Sequence, residues 1–237
     1  VSIYHLHIPR TSGVYVRLNV LPEIKARSIK HFASNRFLPI NVNVIKESQF
    51  VSGHFGLMPL DYMDSPEIFT IVRDPIERFI SYFNYTIKPH QSQKRIEERF
   101  HNWLYGEDSV NQSNLQSKFL TGKTNIEKFN KDVVTFNTTI ESGWHIEDYS
   151  LNIKDVINNL QNIKCYTFEE LNLFRLDMNK SLEKQFGFSV FQNTEKINEL
   201  TSERIRIKPS KEQLNRIQEL NSVDMELYEH IRRYGGR

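Results

Sequence analysis

A chain of 237 residues, 38% hydrophobic and 25% charged, is long enough to bury one sizeable core beneath a polar surface. A formal net charge of +2 provides no global field for nucleic acid or a membrane surface, so any anion site has to be a local cluster of cations. The single cysteine, Cys165, excludes an internal disulfide and a cysteine-based metal site, and its place in the apolar run Ile163 to Phe168 predicts a buried thiol. No apolar run has the length of a membrane span and no signal peptide is visible. The expectation is a cytoplasmic protein, or one of the Golgi lumen were an N-terminal anchor to precede it.

Residues 2 to 8 read as a strand and residues 13 to 27 as a helix. Between them runs His7-Ile8-Pro9-Arg10-Thr11-Ser12-Gly13-Val14-Tyr15. A tight loop from strand to helix aims backbone N–H groups at one point, where the helix dipole also favours negative charge. Arg10 adds a cation, Thr11 and Ser12 add hydroxyl donors, and Gly13 lets the backbone approach a ligand closely. The stretch reads as a phosphate cradle, although a strand–loop–helix corner with no ligand has the same look. It is not the nucleotide P-loop, because GxxxxGK[ST] is absent.

Asn41 to Ile45 alternates polar and apolar residues, which predicts a half-buried strand. Phe50 to Gly53 reads as a short strand entering a glycine-flanked loop, Gly53-His54-Phe55-Gly56. Glu67 to Val72 is a buried strand that stops at Arg73-Asp74-Pro75. Asp74 fits an N-cap and Pro75 the first turn of a helix that continues through Ile76, Phe79, Ile80 and Phe83. Residues 93 to 121 read as helical, and residues 122 to 149 as loop with short elements. A helix over Leu151 to Leu160, a strand over Ile163 to Phe168 and a helix from Leu171 to Phe186, ended by Gly187, follow. Residues 189 to 209 read as a basic surface loop and Lys211 to Arg233 as the last helix. Strands alternating with helices, with no repeat or composition break, predict a single α/β domain over 1–237 around a mostly parallel sheet.

In Arg73-Asp74-Pro75-Ile76-Glu77-Arg78-Phe79-Ile80-Ser81-Tyr82, an arginine at a strand end and a serine on the following helix are placed to grip one phosphate from two sides. An N-capped helix carrying surface ions is the plainer alternative. Taken together, this stretch and the loop at 7–15 resemble the PAPS-dependent sulfotransferases, in particular the carbohydrate O-sulfotransferases and their bacterial relatives. The family's 5′-phosphosulfate loop, of the type HIPKTGGT, stands here as His7 to Val14. Its 3′-phosphate motif, of the type RDPxxRxxSxY, stands as Arg73-Asp74-Pro75, Arg78 and Ser81. Phe83 falls where a second aromatic often does, and Tyr82 sits one place before the family tyrosine. Asn114 and Gln116, Phe168-Glu169-Glu170, and Asn221 to Tyr228 look like further family segments in the expected order.

The resemblance implies a P-loop-like sulfotransferase fold and sulfuryl transfer from PAPS to a hydroxyl or amine of a small-molecule or glycan acceptor, without a metal. It places the 5′-phosphosulfate against Arg10, Thr11, Ser12, Gly13, Val14 and Tyr15, and the 3′-phosphate against Arg73 and Ser81. Arg10 stands where the family usually has a lysine that stabilises charge on the leaving phosphate, and the two are not interchangeable at close quarters.

Sulfuryl transfer needs a base, and a histidine suits it at neutral pH. Of the eight histidines, His54 is the strongest candidate: two glycines flank it at a strand end, where open α/β sheets take ligands, and the family's glycan branch carries its base in a similar Gly-His segment. A histidine hydrogen-bonded in a loop is the alternative. His7 is expected to position the loop, His5 to be core or rim, and His145 to lie on the surface or face the acceptor. The basic run Arg204, Arg206, Lys208 and Lys211 reads as a solvated loop, or as a cover for the 3′-phosphate. The near-neutral charge favours a small alcohol, a secondary metabolite or an uncharged glycan over a long polyanion as acceptor. A nucleotide phosphotransferase is disfavoured by the missing P-loop lysine and Mg²⁺ ligands. A catalytically degenerate nucleotide- or glycan-binding protein of the same fold remains the alternative.

Overall fold

The computed structural model describes residues 2–11, 13–34, 40–87, 91–122, 126–128, 133–136, 151–190 and 207–235. Strand β1 (Ile3–Leu6) enters a loop at His7, and helix α1 (Gly13–Ala26) follows. Next come β2 (His31–Ser34), β3 (Ile40–Asn41), α2 (Val42–Glu47), β4 (Phe50–Gly53) and β5 (Glu67–Val72). Helix α3 (Pro75–Thr86) follows β5, and α4 (Gln93–Tyr105), α5 (Glu107–Asn111) and α6 (Leu115–Thr121) form one helical stretch. Two short strands, β6 (Ile126–Lys128) and β7 (Val133–Phe136), precede α7 (Ile153–Leu160) and β8 (Ile163–Thr167). Helices α8 (Leu171–Phe186), α9 (Lys211–Leu220) and α10 (Ser222–Tyr234) complete the order.

The main sheet has five parallel strands in the order β2-β4-β1-β5-β8, so the protein is an α/β fold. Strand residues alternate between its faces with period two. Tyr4, Leu6, Val51, Ile68, Val72, Ile163 and Cys165 pack into one core, which also holds buried residues of α2, α6, α7 and α10. Ile3, Phe50, Phe69, Ile71 and Tyr166 pack into the opposite core with α1 and α8. Each fully buried Phe, Ile or Leu contributes about 1.5–3 kcal/mol. A third cluster joins α3, α4 and α9 through Phe79, Phe83, Phe100, Leu104 and Ile217. Among the described residues no helix is long and apolar enough to cross a membrane.

Three expectations are corrected. Asn41 to Ile45 is a strand end followed by a helix. The Asn41 side chain accepts from the Asn43 N–H as an N-cap, and Val42 and Ile45, three apart, are the buried pair. Residues 93 to 121 form three helices, parted at Gly106, whose added Cβ would lie 2.9 Å from the Asn102 carbonyl, and at Asn114, which is left-handed at φ 45°. The last helix is broken at Asn221 into α9 and α10. The short elements expected within 122–149 include β6 and β7, which pair with β3 in a separate antiparallel sheet.

Candidate active site

From the central strand β1 the chain crosses through α1 to β2 on one side of the sheet, and from β5 it continues to β8 on the other. Where connections diverge in this way, the carboxyl ends of an open α/β sheet form a crevice that takes ligands. The loops after β4, β1 and β5, three neighbouring strands, carry His54, the stretch 7–15 and Arg73 respectively.

The loop after β1 is held by its own polar groups. Arg10 takes the left-handed conformation at φ 71°. The Thr11 hydroxyl donates to the Ile8 carbonyl at 2.8 Å, and the residue is 2% exposed. Thr11 therefore closes the turn instead of extending a donor outward, as its sequence position led one to expect. Gly13 is required by a neighbour: a Cβ there would lie 1.7 Å from Nε2 of His7. The Tyr15 side chain is in the core with the Arg175 guanidinium 4.4 Å from its ring centroid, so its place in an anion site is its backbone N–H in the first turn of α1. Ser12, and the side chain of Val14, lie outside the described residues.

Arg10 reaches across to α3. Its Nε and Nη2 donate to the Ser81 hydroxyl at 3.2 and 3.1 Å, and its guanidinium lies 4.9 Å from the Tyr85 ring centroid. The stretches at 7–15 and 73–82 thus meet through Arg10 and Ser81, 71 residues apart. Tyr85, one turn beyond Ser81 and 62% exposed, is a site neighbour that the sequence reasoning missed; its i+4 spacing from Ser81 was the available signal.

On the β5 side, Asp74 accepts from the Glu77 N–H at 2.9 Å and Pro75 opens α3, as expected. The Arg73 guanidinium donates to Glu77 at 2.9 and 3.2 Å and stacks 5.0 Å from the Phe168 ring centroid. Gln116 grips the Arg73 backbone: its Oε1 accepts from the Arg73 N–H at 2.8 Å, and its Nε2 donates to the Arg73 carbonyl at 2.9 Å. Arg78 does not share the Ser81 surface. It is fully buried and donates to the Gln112 carbonyl at 2.6 Å. Burial lowers its pKa to about 10 against the pull of Asp224, so it stays cationic at neutral pH and serves as a strut inside the fold.

The histidines form a stack. The His7 ring centroid is 4.1 Å from that of His54 and 5.6 Å from that of His5. His5 Nδ1 bonds the Ser52 hydroxyl at 2.9 Å, which makes it a core residue. His54 Nδ1 lies 2.8 Å from the His7 carbonyl oxygen. A carbonyl only accepts, so Nδ1 carries the proton and Nε2 is the basic nitrogen. Burial first, and electrostatic repulsion from the neighbouring His7 second, hold the pKa of His54 well below the usual imidazole value. The residue is 7% exposed. Among the described residues no group of His, Cys, Asp and Glu is arranged to hold a metal ion.

The remaining segments singled out in the sequence bond one another. The Asn114 side chain accepts from the N–H groups of Val223 and Asp224 at 3.0 and 3.1 Å, and its own N–H donates to Asn221 at 3.2 Å. Asp224, fully buried, accepts from the N–H groups of Gln116 and Ser117 at 3.1 and 2.7 Å and from the Ser117 hydroxyl at 2.6 Å. Helices α6 and α10 therefore cap each other. Tyr228 donates to Glu169 at 2.9 Å. Lys208 and Lys211 are exposed beside Ile207, which is buried in the α3–α4–α9 cluster; Arg204, Arg206 and His145 lie outside the described residues. Compared with models of known protein families and with the curated proteins, the chain matches none.

Proposed function

We propose that the protein is a PAPS-dependent sulfotransferase of P-loop-like fold, acting on a hydroxyl or amine of a small-molecule or glycan acceptor. The observation that carries this reading is the meeting of the two phosphate motifs at Arg10 and Ser81, in the crevice where the sheet's connections diverge. A nucleotide phosphorylated at both 5′ and 3′ positions needs cations at two nearby points, and Arg10 and Arg73 stand at the ends of the adjacent strands β1 and β5. Arg10 and the N–H groups of Gly13, Val14 and Tyr15 would hold the 5′ end, with Ser12 adding a hydroxyl donor and Thr11 closing the turn. Arg73 and Ser81 would hold the 3′-phosphate.

Bound PAPS would supply the sulfuryl group and a nucleotide bisphosphate as leaving group. His54, neutral and protonated on Nδ1, would take the acceptor's proton at Nε2. Arg10, a permanent cation, stabilises negative charge at the cradle. The test is transfer of radiolabelled sulfate from PAPS to a panel of alcohols, amines and neutral sugars in the presence of EDTA. Labelled product from the wild type and none from His54→Ala is the expected result. PAP binding without any labelled product favours the second reading, a nucleotide- or glycan-binding protein without turnover, which the replacement of the usual lysine by an Arg10 folded onto Ser81 supports. Phosphoryl transfer from Mg·ATP with no sulfuryl transfer contradicts both.

A further inference from the structure

We propose that Gln116 is the positioning residue of the 3′-phosphate arginine, and that Asp224 of the C-terminal helix α10 holds it in place; this rests on the reading of Arg73 as the 3′-phosphate ligand. Arg73 is the first residue beyond β5, where the sheet no longer fixes the backbone and Pro75 begins a helix. Both of its backbone groups are taken by one side chain, the Gln116 amide, at 2.8 and 2.9 Å. The partners fix the amide's orientation, because an N–H can meet only Oε1 and a carbonyl only Nε2. Gln116 is fully buried and its own N–H is held by Asp224 at 3.1 Å. The Arg73 Cα is thereby fixed from both sides, and the guanidinium leaves it to lie over Phe168. No other side chain offers this pair at this length: asparagine is one methylene short, glutamate cannot donate, and methionine does neither.

A charge-assisted bond to phosphate depends on where the guanidinium sits. Loosening the Arg73 backbone therefore weakens recognition of the 3′-phosphate and leaves the rest of the nucleotide site alone. PAP and AMP differ only in that phosphate, so the ratio of their dissociation constants isolates the effect. The experiment is calorimetric titration of both nucleotides into wild type, Gln116→Met and Gln116→Glu, with a thermal melt of each protein. The wild type is expected to prefer PAP. Gln116→Met is expected to lose roughly tenfold of that preference with AMP binding unchanged, and Gln116→Glu, which sets a carboxylate oxygen against the Arg73 carbonyl oxygen, to lose at least as much. Arg73→Ala added to Gln116→Met is expected to cost less than Arg73→Ala alone, because the two act on one contact. A folded Gln116→Met with the wild-type PAP/AMP ratio overturns the role of Gln116 and leaves the nucleotide site standing. Should Gln116→Met not fold, an undiminished ratio in Gln116→Glu overturns it equally. A wild type that binds PAP no better than AMP overturns the 3′-phosphate reading itself, and is seen before any variant is made.

Discussion

At the scale of single residues, the histidine stack makes stability depend on pH. His5 and His54 have pKa values held well below 6.5, in each case first by burial and then by the nearby His7. In the unfolded chain both titrate near 6.5. Below that pH the unfolded chain binds more protons than the folded one, so the contribution of these residues is full above about 6.5 and is lost as pH falls toward their folded-state values. The melting temperature is expected to drop between pH 7 and pH 5, with a shallower slope in His54→Gln; an unchanged slope contradicts the assignment. Gly13 tests the stack from its other side. A Cβ at that position meets three atoms of the His7 ring within 2.1 Å, so Gly13→Ala is expected to cost about 1–3 kcal/mol through overpacking. The double variant Gly13→Ala/His7→Ala is expected to melt above Gly13→Ala alone, and simple additivity of the two losses would refute the clash. Glu77 now shares the Arg73 guanidinium in a pair whose acidic member is 61% exposed. Glu77→Gln removes a competitor worth about 0.3–0.5 kcal/mol and should tighten PAP binding roughly twofold by calorimetry. Weaker binding would mean that Glu77 aims the arginine. The residues that bear on the site divide by sequence distance. Arg10, His54, Arg73 and Ser81 are marked by what adjoins them in the chain. Gln116 was noticed only as a motif letter, because its partner Arg73 lies 43 positions away and nothing local records the pairing.

At the scale of elements, the reciprocal capping of α6 and α10 ties the C-terminus to the site. Asp224→Ala leaves two buried N–H groups and a hydroxyl without their acceptor, and deprives Arg78 of the carboxylate that favours its charge. The expected loss is about 3 kcal/mol, or roughly 6–12 °C in melting temperature for a chain of this size. Asn114→Ala, which uncaps the start of α10 and puts alanine in the left-handed conformation at φ 45°, should cost about 1–2 kcal/mol. A smaller loss for Asp224→Ala than for Asn114→Ala would contradict this ranking. The elements easiest to find in the sequence were those whose pattern is local. Glu67 to Val72 is apolar on both faces, and Pro75 after Asp74 marks a helix start by its own chemistry. Val42 to Glu47 misled because over five residues an alternating pattern and an i, i+3 pair share positions. The breaks at Asn114 and Asn221 were hidden because their cause is tertiary: each asparagine serves the other's helix.

For the molecule as a whole, the placement of the site follows from the order of the strands. With β1 at the centre, its connection running to one side of the sheet and that of β5 to the other, the carboxyl ends of β4, β1 and β5 lie side by side. A base candidate, a candidate anion cradle and a second arginine, spread from residue 10 to residue 73, are thereby gathered at one edge of the sheet. The net charge of +2 does not draw in a nucleotide, so binding has to come from these local cations. Whether this crevice binds PAP is read by a thermal melt of wild type and Arg73→Ala with and without PAP. At about 100 times its dissociation constant a ligand adds about 2.7 kcal/mol, a rise of roughly 5–10 °C for a chain of this length. That rise is expected in the wild type, and its loss in Arg73→Ala. No rise in the wild type with PAP at millimolar concentration, or an equal rise in both proteins, would contradict it.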